Sequence, residues 1–479
     1  MTAWAGFAML AAVAALMLAT GLPAFMAMIG VASAFAIAGV AAGAIPLALL
    51  GALPARVIGL LETDLLQALP LYVLIGGLLN RLPLADLVFR GFTRLGGLSP
   101  AAAEMAGLGV GALLAPMNGS VGASVAMLSR VVAPRLRTAG VAPGQSLATI
   151  CAAGTLGVVV PPSLVLILFG DAMMRAHTEA LNTTHAMTRV VNTQDVFRGA
   201  MLPGALLLAL NLGMVWWRGR QRPIPAGSAA LRPGEWAMAA LTVLGILTLL
   251  GAVTLGLIYA VEAAACGAMI LAFAGIGGGA IRGEALRALL HDTMAMTGAL
   301  FALFLAAVTF TLVFRAFGSD RLLADWVTRM PGGAFGALGL VLGLIALSAL
   351  VLDAFEMVLV IVPLLMPPLL TRAPDVVWDS VLVLLVLQGS FLLPPFGYAV
   401  MTARGLTRER LPLRQVVRAV MPFLTVQLLV LGLVIAIPKL VHLTSPDDTA
   451  IRPTYSDAEA RQRLLRMTLP EPEPEPEGE

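Results

Sequence analysis

The 479-residue sequence is 59% hydrophobic and 12% charged, with a mean hydropathy of +0.93 and a formal net charge of +3. Soluble domains average about 25% charged residues, so the composition excludes a water-soluble globular protein. Lys439 is the single lysine, and a Walker A phosphate loop needs a lysine after its glycines. The sequence therefore also excludes an ATP-hydrolysing pump. Its basic residues cluster in loops between apolar runs, which argues against a nucleic-acid surface.

Apolar runs long enough to cross a bilayer recur from residue 2 to about 440. A transmembrane helix needs roughly 20 such residues. The predicted full-length spans are 2–20, 24–44, 199–217, 237–257, 260–280, 293–316 and 418–440. A further span near 69–89 is interrupted by an Asn-Arg pair, and the stretch 46–68 carries charged residues among leucines. The latter pattern is typical of an amphipathic helix that lies along the membrane interface.

Two regions, 98–137 and 332–372, each contain an apolar limb that meets polar residues and then returns as a second apolar limb. Because the polar residues interrupt each apolar region partway along it, each region is predicted to be a re-entrant helical hairpin that enters the membrane partway. The residues at the two predicted tips are Asn118, Gly119, Ser120 and Asp353.

An apolar segment interrupted by two adjacent prolines follows each hairpin. Proline has no amide hydrogen and ends a helix at the preceding residue. In both halves 27 residues separate a proline of the returning limb, Pro134 or Pro367, from the first proline of the pair. The matched spacing predicts two broken helices, with their breaks at Pro161, Pro162, Pro394 and Pro395.

Arginine placement predicts the membrane topology, because short cytoplasmic loops are enriched in arginine and lysine. The loops 129–143, 218–234 and 404–418 are predicted to be cytoplasmic, and the charge-balanced stretch 171–198 is predicted to lie outside. The first hairpin then enters from the cytoplasm, the second enters from outside, and both termini lie outside. Two similar modules in opposite orientation form an inverted-topology repeat, the layout of an ion-coupled transporter. The predicted fold is an all-α polytopic membrane protein.

The tips and the residues near the breaks are the candidate binding residues. An interrupted helix exposes carbonyls that can coordinate Na⁺, and half-helix N-termini favour an anionic group. The uncharged positions assigned to this site are Asn118, Gly119, Ser120, Gly154, Thr155, Gly389 and Ser390. The alternative is that they are only helix caps and packing contacts, since Asn, Ser and Thr cap helices readily. No enzyme motif occurs in the required context, so no catalytic residue is predicted.

Asp353 and Glu356 stand one helical turn apart in an apolar run. A carboxylate at the bilayer centre costs about 2.5–3.5 kcal/mol on insertion scales and indicates function by default. The two residues are predicted to form a cation or proton site, with Asp353 the favoured residue. The alternative is an N-cap followed by a first-turn acid that the helix dipole stabilises.

The motifs around both tips resemble the large membrane (M) subunit of tripartite ATP-independent periplasmic (TRAP) transporters, in the ion transporter superfamily. In the first half the resemblance rests on NGSVGASVAMLSRVVAPRL and LATICAAGTLGVVVPPSLVLILFGD. In the second half it rests on FALFLAAVTFTLVFRAFGSD, LVLDAFEMVLVIVPLLMP and LVLQGSFLLPPFGYAVMTARG. It covers roughly residues 1–440.

The resemblance implies an elevator-type transporter, in which a transport domain slides against a scaffold and Na⁺ binds at the hairpin tips and broken-helix carbonyls. It divides the chain into scaffold spans with an interfacial arm (1–97), a first hairpin and broken helix (98–198), further scaffold spans (199–331), a second hairpin and broken helix (332–405) and a C-terminal span (406–440). The acidic, proline-alternating composition of the remainder predicts a flexible tail (441–479).

The resemblance also implies Na⁺-coupled uptake of an organic acid across the bacterial inner membrane, with no cofactor beyond the coupling ion. The expected partners are a small four-helix membrane subunit and a periplasmic solute-binding protein. The LDAFE and PPFGYA forms favour a 2-oxo acid or another monocarboxylate over a C4-dicarboxylate. The alternatives are a stand-alone sodium/anion symporter of a related inverted-hairpin fold and a channel or scaffold protein.

Overall fold

A computed structural model describes residues 3–62, 64–97, 99, 101–118, 120–161, 163–184, 189–220, 232–373, 375–407 and 411–444. Helices are the only regular secondary structure in these ranges. The helices are α1 (Trp4–Thr20), α2 (Ala24–Ala41), α3 (Leu47–Leu50), α4 (Leu53–Leu61), α5 (Asp64–Arg81), α6 (Leu84–Leu95), α7 (Ala102–Leu114), α8 (Val121–Thr138), α9 (Pro143–Thr155), α10 (Leu164–Thr184), α11 (Thr193–Gly219), α12 (Pro233–Leu255), α13 (Ala260–Gly277), α14 (Glu284–Ala316), α15 (Ser319–Arg329), α16 (Gly333–Ser348), α17 (Ala354–Glu356), α18 (Val362–Leu370), α19 (Val376–Phe391), α20 (Tyr398–Leu406), α21 (Leu413–Ala436) and α22 (Lys439–His442). The predicted tail from Ser445 onward lies outside the described residues.

Six helices in the described ranges are long and apolar enough to cross a membrane: α2, α11, α12, α13, α14 and α21. The bent pair α5 and α6 adds a seventh candidate, with a bend of 67° between its two parts. The predicted interruption of the span near 69–89 is therefore confirmed. It lies just after Asn80 and Arg81, where Pro83 begins the turn into α6 and cannot donate an amide hydrogen to the preceding helix.

The stretch 46–68 differs from the single amphipathic helix that its sequence predicts. It contains the short helices α3 and α4, and residues from Asp64 onward belong to α5. Gly51 ends α3, and Pro54 stands in the first turn of α4, where its missing N–H costs nothing. These two residues divide a segment that charge and leucine periodicity alone predict to be continuous.

The first hairpin consists of α7, a 3₁₀ turn at Ala115–Asn118, and α8. At 1.5 Å per residue, the 13-residue α7 extends only about 20 Å, which is less than the roughly 30 Å hydrocarbon core. The second hairpin consists of α16, a tight turn that ends at Asp353, and a returning arm of α17, a π-helical turn at Met357–Ile361, and α18. The tips thus stand where the sequence predicts them.

Both predicted broken helices are present, and the breaks lie a few residues after the glycines that the sequence singles out. Gly154 and Thr155 end α9, which continues as a 3₁₀ turn to Val158 before the chain unwinds. Gly389 and Ser390 lie inside α19, and the chain unwinds after Phe391. Prolines set these positions, because Pro161, Pro394 and Pro395 stand in the unwound segments and cannot donate helical hydrogen bonds. Pro162 lies outside the described residues.

The open ends of the two hairpins lie at opposite ends of the first broken helix. Arg137, near the end of α8, lines one cavity together with Pro143 at the start of α9. Thr371, just after α18, lines another cavity together with Thr184 at the end of α10. The first hairpin therefore opens beside the start of the broken helix and the second opens beside its end, as an inverted repeat requires.

In each half of the repeat, the returning arm of the hairpin packs against the broken helix of the other half. The returning arm α8 of the first hairpin packs against α20, the second part of the other broken helix. The returning arm α18 of the second hairpin packs against α10, the second part of the first broken helix. Helices α11 and α21 pack against this unit, whereas α1, α2, α5, α13 and α14 form a second group of mutual contacts.

The charge-balanced stretch 171–198 is helical up to Thr184 as part of α10. Within it His177 is 7% exposed, and its Nδ1 accepts a hydrogen bond of 3.2 Å from the backbone N–H of Val191. That contact holds Val191 against α10. Val191 lies 14 residues after His177, so a local sequence pattern around His177 does not predict the contact. His185 lies outside the described residues.

Candidate ion and substrate site at the hairpin tips

The first tip holds a buried amide side chain that lacks a partner. Asn118 closes the 3₁₀ turn and is 4% exposed, yet neither its Nδ2 nor its Oδ1 has a hydrogen-bond partner within the described residues. A buried polar group without a partner is costly. Ser120, in contrast, caps the N-terminus of α8, because its Oγ accepts a 3.0 Å hydrogen bond from the backbone N–H of Ala123. Gly119 lies outside the described residues.

Two close backbone approaches fix the surroundings of Asn118. A Cβ on Gly76 of α5 would stand 3.2 Å from Asn118 Oδ1 and 3.3 Å from the carbonyl oxygen of Met117. A Cβ on Gly157, in the 3₁₀ turn after α9, would stand 2.7 Å from the carbonyl carbon of Ala115. The first tip is therefore held between α5 on one side and the first helix break on the other.

The predicted residues Gly154 and Thr155 lie next to this tip. A Cβ on Gly154 would meet the backbone N of Val125 at 3.3 Å, so the end of α9 lies directly on the start of α8. The buried Thr155 hydroxyl donates a 3.0 Å hydrogen bond to the carbonyl of Ala152. Its oxygen keeps lone pairs for a ligand, and the last carbonyls of an α-helix have no partner in the helix itself.

Both of the alternatives that the sequence leaves open for Asp353 and Glu356 describe part of the second tip. Asp353 is the N-cap residue of α17 and forms a capping box with Glu356, whose carboxylate accepts a hydrogen bond from the Asp353 backbone N–H. Glu356 is thus engaged in capping. Asp353 Oδ1, however, is buried and has no hydrogen-bond partner in the described part of the chain, so one carboxylate oxygen remains available to a cation.

Tyr398 links the second broken helix to the first hairpin, and the sequence does not predict its role. It is the first residue of α20, and a Cβ on Gly122 of the first hairpin would stand 2.9 Å from its hydroxyl. Its ring centroid lies 6.2 Å from that of Phe391 at the end of α19. The sequence feature that indicates such a role is an aromatic residue with a polar hydroxyl directly after the second break, in the PPFGYA run.

The end of α19 contributes a further polar atom. Ser390 Oγ donates to the carbonyl of Val386 at 2.7 Å, and Gly389 allows Gln427 of α21 to approach the helix. The neighbouring Gln388 is 1% exposed, and its Oε1 has no partner among the described residues. A polar residue between an apolar run and the Gly-Ser pair indicates a functional position. A hydropathy value averaged over the whole helix does not show it.

Asp379, in the first turn of α19, is a second buried carboxylate that the sequence analysis misses. It is 0% exposed, and neither carboxylate oxygen has a hydrogen-bond partner within the described ranges. It precedes Gln388 by nine residues, which is about 14 Å along a helix. Asp379 is therefore separate from the tips.

The donor set at the tips suits a hard cation. Its atoms are amide, hydroxyl and backbone oxygens with one free carboxylate oxygen, and such oxygen ligands select hard cations over transition metals. Across the described residues no group of three or more His, Cys, Asp or Glu side chains is placed to hold a metal ion.

An all-helical, multi-pass protein with two hairpin tips facing two broken helices belongs to the class of membrane transport proteins. The family model described as "Tripartite ATP-independent periplasmic transporter, DctM component" matches residues 11–440. The chain belongs to this family, as its motifs predict, and it is a transporter component and not an enzyme.

Curated relatives and one solved structure agree with this assignment. The C4-dicarboxylate TRAP transporter large permease protein DctM of Rhodobacter capsulatus is 23% identical over 385 residues, which are 78% of this chain and 85% of the relative. The 2,3-diketo-L-gulonate TRAP transporter large permease protein YiaN of Escherichia coli is 21% identical over 394 residues, 79% of this chain and 86% of the relative. The crystal structure of the Alcanivorax borkumensis YdaH transporter matches with a TM-score of 0.54 at 17% identity, over 82% of this chain and 89% of that one. This last likeness concerns the fold alone.

Proposed function

We propose that this chain is the large permease subunit of a Na⁺-coupled transporter that takes up an organic acid across the bacterial inner membrane. The observation that carries the proposal is the buried, unpartnered amide of Asn118 at the tip of the first hairpin. The relatives named for C4-dicarboxylate and diketogulonate transport support an organic acid as the cargo. A small four-helix membrane subunit and a periplasmic binding protein complete the system, and both termini of this chain face the periplasm.

Sodium would bind at each tip. At the first tip its ligands would be Asn118 Oδ1, Thr155 Oγ1 and the carbonyls that end α9. At the second tip they would be Asp353 Oδ1, Gln388 Oε1 and the carbonyls around Ser390. The alternative of pure capping accounts for Ser120 and Glu356, which make the local hydrogen bonds of a cap. It leaves the unpartnered oxygens of Asn118, Asp353 and Gln388 without an explanation.

Transport would proceed by movement of the hairpins and broken helices as one unit against α1, α2, α5, α13 and α14. The matched contacts of α8 with α20 and of α18 with α10 support a single unit. Helices α11 and α21 pack on it, so our proposal places them in the mobile unit and not with the scaffold. Gly76 has no side chain and would let the first tip move past α5 at close range.

The test is uptake of labelled carboxylates into proteoliposomes that contain this chain together with its small membrane subunit and its periplasmic binding protein. Succinate, pyruvate and 2-oxobutyrate serve as probes, with and without an inward Na⁺ gradient. We expect uptake of at least one probe that requires Na⁺ and the binding protein. Uptake by the purified chain alone would favour a stand-alone symporter, and flux far above carrier rates would indicate a channel.

A further inference from the structure

One charged contact joins the two groups of helices defined above. Arg315, near the end of α14, holds the Glu179 carboxylate of α10 with its Nη1 at 3.0 Å from Oε1 and its Nη2 at 3.0 Å from Oε2. The same Nη2 lies 3.4 Å from the carbonyl oxygen of Pro363 in α18. A single guanidinium on α14 thus contacts both α10 and α18. These two helices pack on each other.

This ion pair stands at the edge of a cavity of about 520 Å³ between the same groups of helices. Small-ligand pockets commonly measure about 300–1,000 Å³. Besides Arg315, the wall carries Arg175, which Asp171 holds at 2.9 Å, and Arg56 of α4. Arg56 has no hydrogen bond or ion pair to any described residue. Three guanidinium groups against two carboxylates leave the wall with an excess of one positive charge.

We propose that this cleft is a vestibule that binds the substrate carboxylate, and that the substrate exchanges with Glu179 on Arg315. A guanidinium group can donate the same pair of bidentate hydrogen bonds to any carboxylate. The Arg315 and Glu179 side chains are 30% and 45% exposed, and half-exposed ion pairs are weak, so a second carboxylate can compete. The unpaired Arg56 offers the incoming anion a further charge.

The exchange would couple substrate arrival to release of the mobile unit. While Arg315 holds Glu179, α10 and α18 are tied to α14. When a substrate carboxylate occupies the fork, Glu179 is free to leave with α10. The inference deepens the proposed function and rests on it for the class of substrate. A neighbouring cavity shares Glu179 and Arg315 with this cleft and is also lined by Thr184 and Thr371. The arginine distribution predicts that this side faces outside.

The experiment measures protection of a cysteine in the cleft. Thr311→Cys lines the cavity and is introduced with the native Cys151 and Cys266 replaced by alanine. The rate of maleimide labelling of the purified chain is recorded with potassium succinate or potassium pyruvate against potassium chloride at equal ionic strength. Sodium is absent, so failure of Na⁺ coupling in the uptake assay does not affect this result.

We expect at least one of the two carboxylates to slow labelling several-fold in a saturable manner. Glu179→Gln removes the competing carboxylate and should lower the half-protection concentration about tenfold. Arg315→Gln should abolish protection, and Arg315→Lys should give an intermediate value. The matched control is Asp325→Asn, which breaks the α15 ion pair with Arg329 outside this cavity. Each variant is accepted only if it elutes as a monodisperse peak.

Three results would overturn the inference. They are a lack of protection by both carboxylates, protection that survives Arg315→Gln, and a Glu179→Gln variant that needs more carboxylate and not less. The last result would identify the ion pair as a fixed structural contact.

Discussion

At the scale of single residues, the tips separate polar side chains that satisfy themselves from those that do not. Ser120 and Glu356 make the hydrogen bonds expected of helix caps. Asn118, Asp353 and Gln388 each present a buried oxygen without a partner in the described residues. Because such atoms are costly to bury, their presence at two tips and a break supports a ligand that the protein itself does not supply.

Asp353 and Glu356 should respond differently to removal of their charge. Asp353→Asn keeps an N-cap residue but removes the charge that would face Na⁺, so we expect the Na⁺ concentration for half-maximal uptake to rise about tenfold or more. Glu356→Gln retains a capping-box acceptor and should change that concentration less than threefold. Uptake measured over a Na⁺ titration provides the comparison. Equal responses of the two variants would contradict the division of roles.

At the scale of elements, glycines set how closely the helices approach each other. A Cβ on Gly111 of α7 would stand 2.5 Å from Ala153 Cβ and 2.6 Å from the Ala153 carbonyl oxygen. Gly111→Val should therefore overpack the contact between the first hairpin and α9 and cost about 1–3 kcal/mol of stability. The apparent Tm in detergent should fall by several degrees. The control is Gly213→Val in α11, where a Cβ would meet no atom within 4 Å; an equal loss there would contradict the packing argument.

Gly76 tests the contact between α5 and the first tip. A leucine side chain at this position would extend into the space beside Asn118. Gly76→Leu should therefore lower the rate of uptake by about tenfold or more while the chain remains folded. Gly245→Leu in α12, a helical glycine without neighbours within 4 Å, should leave the rate within about twofold. Normal transport by Gly76→Leu would contradict the sliding contact.

Local features of the sequence predict the elements well and the contacts between them poorly. Apolar run length and the proline pairs locate the hairpins and breaks, since both act within one or two helical turns. The roles of Tyr398 and His177 depend on residues distant in sequence, Gly122 for Tyr398 and Val191 for His177. Hydropathy cannot predict such contacts. The packing of α11 and α21 on the hairpins and broken helices cannot be predicted from composition either, because their apolar composition matches that of the other spans.

At the scale of the whole molecule, the inverted repeat assigns the two hairpins to opposite membrane faces. Thr184 ends α10 beside the second hairpin, and Thr407 lies beside the open end of the first. With Cys151 and Cys266 replaced by alanine, Thr184→Cys should react with an impermeant maleimide in spheroplasts. Thr407→Cys should react only after permeabilisation. Labelling in the reverse pattern would contradict the arginine-based orientation, and labelling of both from one side would contradict the inverted repeat.

Sodium binding at the tips is tested most directly by binding of ²²Na⁺ to the purified chain. Wild-type protein should bind the ion saturably. Asn118→Ala should lose at least part of this binding. Asn211→Ala should retain all of it, because Asn211 is a buried asparagine of α11 whose Oδ1 also lacks a partner in the described chain but is not among the proposed sodium ligands. Identical sodium binding by wild type and Asn118→Ala would contradict sodium coordination at the first tip.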